Sequence, residues 1–102
     1  MEQNKEDNIV FVGSKPLMAY VNAVQMQFKE GQEIVIVSAR GRNMNAAIDV
    51  EQIITKRFMK DEIETEKIVT GSEEFTRKDD KGKETNRKTN VSTIEITLKT
   101  KK

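Results

Sequence analysis

Apolar positions along this chain follow two different periods. Ile9-Val10-Phe11-Val12 and Ile34-Val35-Ile36-Val37 are short continuous apolar runs rich in β-branched residues, and both read as strands. After each run the period lengthens to that of a helix. Leu17, Tyr20, Val21, Val24 and Phe28 make one stripe; Ala46, Ala47, Val50, Ile53, Ile54 and Phe58 make a second. Pro16 suits a first helical turn, where its missing N–H costs nothing. Gly31 suits the end of the first helix, and Asn43 or Asn45 the start of the second. The first strand is predicted from Asn8 to Val12. The second, from Glu33 to Ala39, is apolar enough to predict a central strand buried on both faces.

Two longer strands follow. The first is predicted from about Glu62 to Thr76, with Gly71 as a bulge or bend. In the second, from about Asn90 to Lys99, Ile94, Ile96 and Leu98 alternate with Thr93, Glu95 and Thr97, which predicts one buried and one wet face. The polar segment between them, with Asp80-Lys81-Gly82-Lys83 near its centre, predicts an extended hairpin arm with a mobile basic tip at 77–88. The order is β-α-β-α-β-β, an α/β (α+β) chain with a frayed arm at 1–7. At 102 residues it is one small domain, and with 35% hydrophobic and 34% charged residues its core is modest, so self-association would help to stabilise it.

The strand-to-helix turns Gly13-Ser14-Lys15-Pro16 and Ala39-Arg40-Gly41-Arg42 carry the candidate chemistry. Such junctions leave N–H groups at a helix start, which suits an anion, and here cationic side chains stand beside them. A crossover makes the two strands parallel neighbours and puts both turns on one edge of the sheet. The net charge is only +1, but it is segregated: between Arg77 and Lys88 there are six basic residues against three acidic ones, while Glu62, Glu64, Glu66, Glu73 and Glu74 hold much of the acidity. A cationic centre with cationic arms suits a phosphate backbone.

Other chemistries find little material. The chain has no cysteine and no histidine, which removes disulfides, thiolate zinc sites and the commonest general base. No phosphate-binding P-loop, dinucleotide fingerprint, nucleophile elbow or metal-ligand cluster is present, so neither an enzyme nor a cofactor is expected. No apolar run approaches the ~20 residues that span a bilayer, and residues 1–8 lack a signal-peptide pattern. The expectation is a soluble, cytoplasmic protein.

At its turns the sequence resembles the Alba family of small archaeal nucleic-acid-binding proteins. The resemblance runs from Ile9 to Lys99. It rests on Val12-Gly13-Ser14-Lys15-Pro16-Leu17-Met18-Ala19-Tyr20-Val21, Ala39-Arg40-Gly41-Arg42, Arg57-Phe58 and Val91-Ser92-Thr93-Ile94-Glu95-Ile96. It implies a two-layer fold with a mixed sheet and a homodimer that binds double-stranded DNA, and often RNA, largely through phosphates in a chromosome-organising role. Lys15 falls on a DNA-contacting lysine position, and Arg40 and Arg42 match the arginines of the second turn. Phe58 matches an aromatic position of dimer–dimer contacts. Ser14 stands where many members carry an acetylatable lysine, so that control is absent here. The near-neutral charge departs from the strongly basic family habit and points to weaker or more selective binding, or to an RNA target.

The candidate binding set is Ser14, Lys15, Tyr20, Arg40, Arg42 and Asn43 at the turns, with Arg77, Lys78, Lys81, Lys83, Arg87 and Lys88 on the arm. Two readings compete with a DNA-binding chromatin protein: a dedicated RNA-binding or ribonucleoprotein subunit, and a structural protein-interaction domain.

Overall fold

A computed structural model describes residues 8–78, 81–82 and 84–101, without the side chains of 75–78 and 84–87. The expected arm at 1–7 lies outside the described residues. In chain order come β1 (Ile9–Phe11), α1 (Leu17–Lys29), β2 (Ile34–Arg40), a 3-10 turn (Gly41–Asn43), α2 (Met44–Ile53), a π turn (Ile54–Phe58), β3 (Ile63–Lys78) and β4 (Glu84–Thr100). The sheet order is β1-β2-β4-β3. β1 is parallel to β2, and β4 is antiparallel to both β2 and β3, so the sheet is mixed.

The core lies between the helices and one face of the sheet. The register pairs Val35 with Leu98, Val37 with Ile96 and Ala39 with Ile94, and all six side chains are buried. Val21 and Val24 of α1 and Ala47 and Val50 of α2 close over them. Burying each larger aliphatic side chain contributes about 1.5–3 kcal/mol, enough together to order a sheet with a short β1. α1 ends as Gly31 suggests: at φ 103° its N–H donates to the Phe28 carbonyl and the Gln32 N–H to that of Gln27, the paired bonds of a Schellman motif.

β2 corrects one expectation. It is central, but only alternate residues are buried; Ile34 is exposed, and Ile36 and Ser38 are half-buried on a face no helix covers. A continuous apolar run marks burial on both faces only where a second layer exists, and this fold has helices on one side alone.

β3 and β4 correct two more. Gly71 pairs regularly with Thr93, and the register shifts fall instead between Thr65 and Lys67 and between Thr76 and Lys78. The first is the bulge at the start of β3. There the Thr65 hydroxyl donates to the buried Glu51 carboxylate of α2 at 2.6 Å, fastening the start of β3 to the helix layer. The two strands also pair out to Lys78 and Glu84, so most of the expected tip is ladder. The expected hairpin arm is present, and only its strands are longer than the ends expected near Thr76 and Asn90, because an arm without a covered face has no apolar period to mark its length.

The π turn explains an exposed aromatic. The Met59 N–H donates to the Ile54 carbonyl, five residues back, at 2.8 Å. The extra residue in that turn carries Phe58 out of line with Val50 and Ile54, which are fully buried, and leaves it 49% exposed.

Candidate nucleic-acid interface

The topology brings the cationic segments together. The Val12 N–H donates to the Ser38 carbonyl at 2.8 Å, holding the turn after β1 beside the end of β2. β3 runs in the same direction as β2, with β4 between them, so it too leaves the body at this edge. Arg40 pairs with Thr93, and Thr93 with Gly71. Beyond that row β3 and β4 continue alone as the arm. The arm accounts for the elongated shape: the radius of gyration is 16.0 Å, against about 13 Å for a compact chain of this length.

The first turn is held by one side chain. The N–H groups of Gly13 and Lys15 donate to the Tyr20 hydroxyl at 2.8 and 2.9 Å. Tyr20 is itself buried, so it serves as a clamp beneath the turn and offers no stacking face at the edge. Two N–H groups that would suit an anion are therefore already engaged, and the turn's reach to a phosphate rests on the Lys15 side chain. Ser14 and Lys15 are exposed.

The second turn runs straight into its helix. Gly41 has φ 56°, a left-handed conformation that L side chains rarely adopt, and a Cβ there would sit 3.6 Å from Val91 of β4. This glycine lets the chain turn sharply against the arm's base and leaves Arg40 and Arg42 exposed on either side of it. Asn43 is half-buried and makes no side-chain cap, so the helix start depends on the 3-10 turn instead.

Two arm cations are described at the side-chain level. Lys88 is exposed and lies 3.4 Å from Glu74; Lys81 is exposed near the tip. Arg77 and Lys78 lie on β3 and Arg87 on β4 by their backbone alone, and Lys83 lies outside the described residues.

The candidate list omitted two residues at this edge. Phe11 is 67% exposed on the open sheet face and shares a shallow groove of about 190 Å³ with Arg40, Thr93 and Glu73. Glu73 forms an ion pair with Arg40 at 3.4 Å. Strand alternation alone puts Phe11 opposite the buried Val10; Glu73 is found only from the register.

The groove of about 390 Å³ between the start of α1 and the end of α2 is lined by Asp49, Gln52, Lys56 and Arg57 beside Leu17 and Ile53. It holds no nucleophile–base pair. Among the described residues no group of three acidic side chains converges as a metal site, and no helix is long and apolar enough to cross a membrane.

Fold and edge together define a two-layer α+β protein with a mixed four-stranded sheet, a cationic edge built from two turns, and a projecting hairpin. The Alba family model matches residues 8–72, and the chain belongs to the Alba family. It is 44% identical over 94 residues to the DNA/RNA-binding protein Alba of Methanocella arvoryzae, covering 92% of this chain and 91% of that one. It is 46% identical over 93 residues to the DNA/RNA-binding protein Alba of Methanococcus maripaludis, covering 90% and 97%. Among solved structures, Alba from Thermoplasma volcanium superposes with a TM-score of 0.74 at 40% identity, over 90% of this chain and 99% of that one.

Proposed function

We propose that this protein is a non-enzymatic, dimeric nucleic-acid-binding protein that engages the phosphate backbone of double-stranded DNA, organises chromosomal DNA in the cytoplasm, and also binds RNA. One observation carries the reading: Lys15, Arg40 and Arg42, far apart in sequence, stand at one sheet edge from which the arm also projects. Its relatives, named DNA/RNA-binding proteins, support it. Phosphate contacts hold a duplex in register without reading its bases, so the expected binding is broad in sequence and sensitive to salt. The dimer is supported by apolar residues left exposed, among them Phe11, Phe58, Ile68 and Val69.

A second reading, a dedicated single-stranded RNA binder, is favoured by Phe11. An exposed aromatic on an open sheet face beside an arginine is a surface on which an unpaired base stacks. A competition titration among duplex DNA, duplex RNA and single strands separates the two.

The backbone reading makes a quantitative prediction. Each phosphate contact contributes about 0.9 to the log–log salt slope on duplex DNA. Arg42→Ala is expected to weaken binding evenly across unrelated sequences and flatten the slope by about that amount. The triple variant Lys15→Ala/Arg40→Ala/Arg42→Ala is expected to flatten it by up to about three times as much. An unchanged slope in the triple variant removes these residues from the interface.

A further inference from the structure

The acidic residues at the arm's base are placed against the cations of the proposed interface. Arg40 and Glu73 lie 3.4 Å apart with side chains 60% and 42% exposed, and Lys88 and Glu74 lie 3.4 Å apart on the opposite face of the arm. The Arg40 contact spans two strands. Arg40 sits in a row with Thr93 and Gly71, and Glu73 is two residues beyond Gly71 on the same face. Gly71 has no side chain to stand in the way, so the guanidinium can pass over β4 and meet the carboxylate on β3.

We propose that Glu73 is an affinity-determining residue that competes, from within the chain, with the nucleic-acid phosphate for Arg40. This rests on the reading of Arg40 as a phosphate contact. A guanidinium bonds carboxylate and phosphate through the same fork of donors. A phosphate that takes Arg40 must displace Glu73, and the displaced carboxylate then stands in the field of the duplex. An exposed ion pair is weak and easily exchanged, so Glu73 attenuates binding without blocking it. It also keeps Arg40 extended toward the arm when no ligand is bound. The near-neutral charge of the chain thus has a local counterpart at the edge itself, and affinity is set by partner exchange as well as by the number of cations.

The test compares two neutralising substitutions on the full chain with one mixed-sequence DNA duplex over a salt series. Glu73→Gln and Glu66→Gln change the net charge equally, but Glu66 lies in the bulge at the opposite end of β3. Glu73→Gln is expected to tighten binding by up to about fivefold at low salt, the upper end of what an exposed ion pair commands. It is also expected to steepen the salt slope by up to about 0.9. Glu66→Gln is expected to leave both nearly unchanged. Equal gains from the two variants would reduce the effect to net charge and overturn the proposal, as would no gain from Glu73→Gln. Arg40→Ala, measured alongside, tests the underlying reading separately: if it changes neither affinity nor slope, Arg40 is not a phosphate contact at all.

Discussion

Tyr20 does the work of several residues at the cationic edge. Its ring is part of the core, and its hydroxyl accepts the two N–H groups that shape the turn bearing Lys15. Tyr20→Phe keeps the ring and removes only the acceptor. Two part-buried N–H groups then lose their partner, at a cost of about 1–3 kcal/mol. The expected outcome is a loss of that size in chemical denaturation, together with weaker duplex binding as Lys15 loses its fixed position. Unchanged stability and unchanged affinity would show that the turn holds its shape without the clamp. At this scale the sequence was only partly legible. Lys15, Arg40 and Arg42 announce themselves in short turns, but a tyrosine on a helical stripe looks like any core aromatic, and its bonds to the turn follow from the three-dimensional path alone.

The arm is the element whose role is separable from the rest. Its strands pair with each other beyond the row of Arg40, Thr93 and Gly71, past the end of β2. Core burial is complete without it: Val35, Val37, Ile96 and Leu98 all lie on the body side of that row. Replacing residues 77–88 by a two-residue turn is therefore expected to leave thermal stability and oligomeric state unchanged while weakening duplex binding at low salt, where electrostatic contacts are strongest. Equal affinity of the shortened and full chains in that titration would make the arm a solvated hairpin only. The body's helices were read closely from the sequence because each has a covered stripe. Gly71 is regular for a physical reason: glycine signals a bulge by its freedom, whereas the bulge at the start of β3 accompanies the contact between Thr65 and Glu51 and carries no local mark, and neither does the shift between Thr76 and Lys78.

At the scale of the whole molecule, the exposed apolar side chains are where the proposed self-association is tested. Phe58, turned outward by the π turn and 49% exposed, is free of the packing duty its place on the stripe suggested. Phe58→Ala is expected to lower the cooperativity of binding on long duplexes while the dimer persists in sedimentation and the melting temperature moves little. A marked fall in melting temperature with cooperativity intact would return Phe58 to the core. The fold class and element order were legible from periodicity, and the shared edge followed once the strands were taken as parallel. The single covered face of β2 was not, because a run of β-branched residues does not say how many layers surround it.

The bulge in β3 has one more consequence. β3 is an outer strand of 16 residues, and β1 at the opposite side of the sheet has only 3. A long outer strand displays unpaired backbone groups that another chain can copy, the route to open-ended aggregation. Between Thr65 and Lys67 the spacing of those groups is broken, and Glu64 and Lys67 place charges on either side of the break. An incoming strand that matches the ladder on one side of residue 66 is out of step on the other. The chain therefore leaves apolar side chains exposed while its own sheet resists growing by edge-to-edge addition.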